Sequence, residues 1–131
     1  MHKYGLELLL WTGDFQKEDV KLISHAKELG FDGVELHLGH PERFPIEEVK
    51  SALKDNDMGV NFVITLTEDT NAISKDPEVR KKGVEFFKKS IDVAYDISGG
   101  GAVIGGVNYA AWGYFTGTAR TEQEWEWAVH S

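Results

Sequence analysis

The 131-residue sequence contains no cysteine and no long apolar run. The lack of cysteine excludes a disulfide framework, a thiolate zinc site and a cysteine nucleophile. No apolar stretch approaches the ~18–20 residues that a helix needs to cross a bilayer. The first residues, Met1 to Tyr4, lead into a strand-like run, and no signal-peptide pattern is present there. We therefore expect a cytoplasmic protein with no membrane partner.

The sequence is also short of positive charge, with 14 lysines and arginines against 22 aspartates and glutamates and a net charge of -8. Such a surface repels phosphate backbones, which argues against a nucleic-acid partner. The densest basic stretches are Arg80–Lys82 and Lys88–Lys89. Acidic residues interrupt them at helical spacing, so we interpret them as solvated helix faces.

What is present is an alternation of short apolar runs with longer amphipathic ones, in a chain long enough for a single domain, residues 1–131. The predicted strands are Tyr4–Trp11, Gly33–Leu38, Val60–Leu66 and Ala102–Val107. The predicted helices are Gln16–Leu29, Pro45 to about Lys54, Pro77 to about Ile97, and a fourth that begins after Thr121. Strands that alternate with helices in this way form a parallel sheet with right-handed crossovers.

Several residues mark where these helices begin and end. Gly30 follows the first helix, where a left-handed cap is expected. Asp76 precedes Pro77, which is typical of a helix start. Thr121 and Glu124 have the spacing of a capping box. In the last helix we expect Trp125, together with Ala128 or Val129, to form the apolar face.

The two faces of the predicted strands differ. One face is aliphatic throughout and comprises Leu6, Leu8, Leu10, Val34, Leu36, Leu38, Val60, Phe62, Ile64 and Leu66. The other face is mixed and includes Glu7, Glu35, His37, Asn61 and Thr65. An open sheet covered by helices on both sides would be apolar on both faces. The pattern therefore favours a barrel wall, with helices outside and a polar interior, over an open α/β sheet.

Three segments resemble the sugar isomerase/epimerase superfamily of xylose-isomerase-like TIM barrels, and most of all the ketose 3-epimerases of the D-tagatose/D-psicose type. They are Gly30–Leu36, Ser74–Arg80, and Val103–Val107 continuing to Trp112. The resemblance runs over essentially the whole chain. A (β/α)8 barrel has ~250 residues, so only its N-terminal half is present. The implied fold is half of a TIM barrel, with four parallel strands, three helices and the start of a fourth.

The resemblance also implies a chemistry. Those enzymes hold a divalent metal (manganese, magnesium or cobalt) with two glutamates, an aspartate and a histidine from the second half of the barrel, and the glutamates move a proton at C3 of the ketose. None of those positions is matched here, so we assign no catalytic residue, no metal ligand and no cofactor to this chain. The expected function is that of a truncated isomerase/epimerase-like protein without ketose 3-epimerase activity. The alternative is a non-catalytic, oligomeric module that binds a sugar or polyol.

What the resemblance assigns to this chain is the first-half wall of a sugar pocket. The substrate-binding positions it implies are Trp11, Val63, Val107, Asn108 and Trp112, and we add His37 from its place at the end of the second strand. Trp11 and Trp112 could stack on the sugar or could be ordinary core residues. The expected small-molecule partner is therefore a sugar.

Two further groups leave alternatives open. His37 and His40 could contribute to a metal site, since imidazole is a common ligand, or they could be a pocket histidine and a loop histidine. Glu7 and Glu35 could act as an acid and base, or they could be structural. A third possible function is an active enzyme, which would need a new metal site built from these two histidines and two glutamates. A nuclease function, as in the related endonuclease barrels, is disfavoured because the net charge of the chain is negative and because the same metal-ligand positions are not matched.

A half-barrel leaves its first and fourth strands as unpaired edges and its inner face open. Unprotected edges and exposed aromatic patches favour association. We therefore expect a homo-oligomer that forms through the strand edges and the inner sheet face.

Overall fold

A computed structural model describes residues 2–111 and 119–130, and for residues 106–111 it describes the backbone. The strands are β1 (Gly5–Glu7), β2 (Gly33–His37), β3 (Gly59–Leu66) and β4 (Ile104–Ala111). The helices are α1 (Lys21–Glu28), α2 (Ile46–Asn56), α3 (Pro77–Ser98) and α4 (Glu122–His130). The four strands form one sheet in the order β1-β2-β3-β4, and β2 pairs in parallel with both β1 and β3. This confirms the predicted order of strands and helices and the predicted parallel pairing of β1, β2 and β3.

The predicted caps are confirmed. Gly30 has a φ of 93°, a conformation that glycine adopts without strain. The Glu78 amide donates to Asp76 Oδ1 at 2.9 Å at the start of α3. The Thr121 amide donates to Glu124 Oε2 at 2.8 Å, and the Glu124 amide donates back to Thr121 Oγ1 at 3.1 Å. Because these bonds are local in sequence, the sequence was enough to predict them.

The first strand is much shorter than predicted. After Glu7 the chain forms a single turn of 3-10 helix, Leu8–Leu10, so the prediction of a strand as far as Trp11 was wrong. The Glu7 carboxylate accepts the Leu9 amide at 3.0 Å, which satisfies that donor within the turn instead of in the sheet. Consequently Leu8 is buried as predicted while Leu10 is 71% exposed, so the prediction that Leu10 belongs to the buried aliphatic face was wrong.

Strands β2 and β3 confirm the predicted difference between the two faces. Their aliphatic face is almost completely buried, at Val34, Leu36, Phe62, Ile64 and Leu66. The opposite face is more open, since Glu35, His37 and Val63 are half-buried and Asn61 is exposed. β4 extends further than predicted, to Ala111.

The described residues fall into two compact units, one of Met1–Ile64 with Ser90–Gly105 and one of Thr65–Lys89 with Gly106–Ser131. The first unit contains the buried face of β2 and that of β3 as far as Ile64. It also contains buried residues of its helices, which are Ile23, Ala26, Val49, Leu53, Val93 and Ala94.

None of the helices that the structure describes is long and apolar enough to span a membrane.

In the second unit, α4 packs through a different residue from the one expected. Trp125 is 68% exposed and Val129 is exposed as well, so the prediction that they form the apolar face was wrong, whereas Ala128 is half-buried. Trp127 instead lies under the Arg80 guanidinium, 4.6 Å from the ring centre. Arg80 Nη1 also donates to the Ser74 carbonyl at 2.7 Å. Arg80 is therefore a packing residue, and the solvated-face interpretation does not hold for it.

Candidate functional site

A row of polar side chains crosses three strands on the open face of the sheet. The register pairs Glu7 of β1 with Glu35 of β2, and Glu35 with Asn61 of β3. Asn61 Oδ1 accepts the Val103 amide at 3.1 Å, just before β4. A Cβ placed on Gly105 of β4 would lie 4.0 Å from Glu35 Oε1, so this glycine leaves space beside the carboxylate. The two glutamates are thus brought together as the strand pattern predicted.

The Glu7 carboxyl group holds a proton unusually strongly. Burial, helped by a hydrogen bond with Glu35 and by the charge of Glu35, raises its pKa from an ordinary 4.5 to about 7, against the lowering effect of the Leu9 amide. A carboxyl group with this pKa can donate a hydrogen bond or a proton at neutral pH, which an ordinary glutamate cannot do. The pair is therefore able to act as either a structural or an acid–base element.

We expect Glu7→Gln to stabilise the chain at alkaline pH. The raised pKa means that the folded chain keeps a proton that the unfolded chain releases between pH 4.5 and about 7, so the free energy of unfolding falls over that interval as the pH rises. Because Glu7 is only half-buried, the full shift is discounted for solvent screening, and the gain at pH 8 should be about 1–2 kcal/mol. At pH 4 the variant and the parent should be nearly equal.

Urea unfolding from pH 4 to pH 8 measures this effect. Glu85→Gln is a matched control, because the ion pair with Lys88 lowers the pKa of Glu85 and this glutamate lies on the surface of α3. If Glu7→Gln kept the parent's pH dependence, the shared proton would not reside on this pair.

His37 ends β2 and pairs in register with Val63 of β3. Burial lowers the pKa of His37, opposed by a hydrogen bond to the Gly13 backbone and by the charge of Asp14, so the ring is neutral at pH 7. A Cβ on Gly39 would lie 3.0 Å from His37 Cε1, so the backbone closely abuts the ring. His37 and Val63 are thus adjacent, as expected for two residues of one wall.

His40 has a different environment. Its Nδ1 lies 3.4 Å from Glu42 Oε1, and both side chains are about half exposed. In residues 2–111 and 119–130 no three histidine, aspartate or glutamate side chains come together in a group that could hold a metal ion. Within the described part of the chain, neither His37 nor His40 therefore has the further imidazole or carboxylate partners that a divalent metal site needs.

Trp11 caps the turn Leu8–Leu10, and its ring packs against the His25 ring of α1 at 5.1 Å between centroids. It is 37% exposed, so part of the indole surface is accessible to solvent. Among the other predicted wall residues, Val107 and Asn108 lie on β4, where the structure describes the backbone, and Trp112 lies outside the described residues. Their roles in sugar binding stay predictions.

Two loops beside the wall are joined by contacts that the sequence analysis missed. Arg43 Nη2 lies 2.9 Å from Asp14 Oδ2, and the guanidinium holds the pKa of the Asp14 carboxyl below its usual range. The Phe15 ring stacks on Phe44 at 5.5 Å, and Phe44 meets Phe62 edge-on at 6.4 Å. Phe15 lies between β1 and α1, and Phe44 lies between β2 and α2, but nothing in their spacing predicts this pairing.

Two open clefts of the first unit lie at the opposite end of the strands. The first, of about 470 Å³, is bordered by Lys50, Lys54 and Gly59, and the second, of about 330 Å³, by Gly5, Gly33 and Gly59. In parallel α/β enzymes the chemistry lies at the carboxyl ends of the strands. We therefore place the candidate site at Glu7, Glu35 and His37 rather than in either cleft.

Comparison with known proteins identifies the fold family. A profile of the xylose isomerase-like TIM barrel family matches residues 23–131. The chain belongs to this family. The chain is 34% identical over 110 residues to a ketose 3-epimerase of Arthrobacter globiformis, covering 83% of this chain and 37% of that protein. It is 31% identical over 121 residues to an L-ribulose 3-epimerase of Methylomonas sp. (strain DH-1), covering 92% of this chain and 42% of that one.

Solved structures of the family show the same architecture. The D-allulose 3-epimerase of Methylomonas sp. in complex with D-allulose superposes with a TM-score of 0.87 at 29% identity, covering 98% of this chain and 44% of that chain. The D-psicose 3-epimerase of Clostridium cellulolyticum H10 with D-tagatose has a TM-score of 0.80 at 21% identity and shares the fold. The chain thus corresponds to the N-terminal half of such a barrel and spans about two fifths of the length of these relatives.

Proposed function

We propose that this chain supplies the first-half wall of a ketose-binding barrel and does not catalyse epimerisation by itself. The observation that carries the proposal is the open face of the sheet, where Glu7 at the end of β1 pairs with Glu35, and His37 ends β2 two residues further along. These groups offer hydroxyl-binding donors and acceptors, and the accessible Trp11 ring offers an apolar surface. Sugar sites combine these two kinds of surface.

The relatives support a ketose as the ligand. A ketose 3-epimerase and an L-ribulose 3-epimerase are 34% and 31% identical to this chain, and one solved relative holds D-allulose. The proposal of no turnover rests on the donor set, since the described residues do not assemble three metal-binding side chains.

We expect the chain to bind D-allulose weakly and to leave it unconverted. Calorimetry measures the binding, and chromatography of D-allulose and its C3 epimer after incubation with Mn²⁺, Mg²⁺ or Co²⁺ measures the conversion. The Methylomonas D-allulose 3-epimerase serves as the active control. Trp11→Ala should weaken binding, whereas Trp125→Ala, which removes an exposed tryptophan from α4, should not. Sustained conversion by this chain would contradict the absence of activity, and equal effects of the two variants would contradict the role of Trp11.

A second proposal concerns assembly. The sheet order leaves β1 and β4 as its two edges, and unpaired edges favour association. We propose that two copies associate through these edges and the polar face. The dimer would then be the oligomeric, non-catalytic sugar-binding module given above as the alternative function. Sedimentation should show a dimer at micromolar concentration, and a well-folded monomer would contradict this arrangement.

A further inference from the structure

Glu7 occupies a junction between the sheet and the residue proposed to contact the sugar. It is the last residue of β1, the cap of the turn Leu8–Leu10, and the register partner of Glu35. One of its carboxylate oxygens accepts the Leu9 amide at 3.0 Å. At the other end of the same turn, the Trp11 amide donates to the Leu8 carbonyl at 2.9 Å. A single turn therefore separates the Glu7 carboxyl group from Trp11.

Within the turn Leu8–Leu10, packing holds Leu8 but not Leu10. Leu8 is 1% exposed and anchors the turn in the core, whereas Leu10 is 71% exposed. Besides the Trp11 amide bond, the Thr12 amide donates to the Leu8 carbonyl at 3.0 Å. Isolated 3-10 turns are weak because their hydrogen-bond geometry is poor. The Glu7 side chain is the cap that adds to these backbone bonds.

We propose that Glu7 is a positioning residue for Trp11: its carboxyl group, held between Glu35 and the Leu9 amide, sets the turn that carries the indole ring. The inference rests on the proposed function in so far as it assigns a purpose to the position of Trp11. It concerns a residue that acts through the turn and that need not touch the sugar.

The carboxyl pair makes this position depend on pH. Glu35 on β2 is the titratable group that faces Glu7, the turn contributes the Leu9 amide, and the next residue in the row is the uncharged Asn61. With one proton between them, the two carboxyl groups attract each other. Without it, two like charges lie on neighbouring strands and repel. The half-exposed Glu7 side chain is then free to turn toward water, and the turn loses its cap.

His25 must be considered separately, because it is titratable and its ring contacts Trp11. A change in the Trp11 signal with pH could originate from either His25 or Glu7. The two sources are distinguished by removing one group at a time, since Glu7 acts through the turn and His25 acts through ring contact.

Indole N–H signals in ¹H–¹⁵N NMR spectra of the full chain report the position of Trp11 directly. The Trp11 signal is assigned as the one absent from Trp11→Phe. We expect it to shift with a midpoint near pH 7 in the parent and in His25→Gln, and to stay constant from pH 5 to pH 8.5 when Glu7→Gln is added to His25→Gln. The glutamine oxygen can still accept the Leu9 amide, so this variant should keep the low-pH position at every pH. Glu7→Ala should show the high-pH position throughout, and Glu85→Gln should behave as the parent.

The result that overturns the proposal is a Trp11 shift that disappears in His25→Gln, or one that persists when Glu7→Gln is added to His25→Gln. Calorimetry with D-allulose then distinguishes this proposal from the proposed function. We expect the affinity to fall about threefold between pH 6 and pH 8.5 in the parent and to stay constant in Glu7→Gln. If the Trp11 signal titrates through Glu7 and no D-allulose binds at either pH, the sugar wall fails and the positioning role stands. If D-allulose binds and Trp11 does not respond to Glu7, the positioning role fails alone.

Discussion

Replacing Phe62 with alanine should lower the free energy of unfolding by about 3–5 kcal/mol, the usual cost of removing a fully buried phenylalanine. Phe62 has no exposed surface and lies in the middle of β3. Its ring meets Phe44 edge-on, and Phe44 stacks on Phe15. The variant leaves a cavity lined by strands and aromatic rings, which cannot collapse without moving the loops that contain Phe15 and Phe44.

The same substitution should disturb the candidate site. Phe15 follows Asp14, and Phe44 follows Arg43, which forms the ion pair between the two loops. With Phe62 gone, the stacked Phe15 and Phe44 rings lose the edge-on contact that ties them to β3, and the exposed ion pair beside them contributes only about 0–1 kcal/mol. We therefore expect faster hydrogen exchange of the Gly13 to Gln16 amides in Phe62→Ala.

Urea unfolding measures the stability change. Phe62→Leu should cost less than half as much, since it keeps most of the buried volume. Tyr95→Ala, which removes an aromatic ring that is 63% exposed on α3, should change stability by less than about 0.5 kcal/mol. A loss below about 1 kcal/mol for Phe62→Ala would show that β3 does not pack at the centre of the first unit.

The second large effect is expected at Gly83 in α3. A glycine inside a helix usually costs about 1 kcal/mol relative to alanine, so Gly→Ala is normally stabilising. Here a Cβ would collide with the Thr70 carbonyl oxygen and lie 3.4 Å from the Ala72 amide nitrogen. The obstacle is backbone, and the segment around it is held by buried Asn71, whose Oδ1 accepts the Ile73 amide at 3.1 Å.

We therefore expect Gly83→Ala to reverse the usual sign and to destabilise the chain by about 2–3 kcal/mol, as overpacking of a core does. Lys82→Ala is the matched control on the neighbouring exposed position and should be nearly neutral. Both variants can be measured by chemical denaturation with circular dichroism. A neutral or stabilised Gly83→Ala would mean that α3 and the segment at Thr70 are not in close contact.

Part of the site follows from the strand pattern, because side-chain direction in a strand has a period of two. That period alone placed Glu7, Glu35 and Asn61 on one face and Phe62 on the other. The register turned the first three into neighbours. The length of β1 could not be predicted in the same way. Leu8 to Leu10 is as apolar as a buried strand, and the backbone bonds to the Leu8 carbonyl, together with the capping bond from Leu9 to Glu7, make it a turn.

The sequence by itself determined the order of strands and helices, the helix caps and the buried face of the sheet, since each depends on spacing along the chain or on bonds to near neighbours. The tertiary structure decided which side chains from distant segments meet. The contact of Trp11 with His25, the stacking of Arg80 on Trp127 and the close approach of Gly83 to Thr70 all belong to this class. The raised pKa of Glu7 does too, because it depends on burial and on a carboxylate 28 residues away. Such effects arise from packing in three dimensions, and no periodicity in the sequence encodes them.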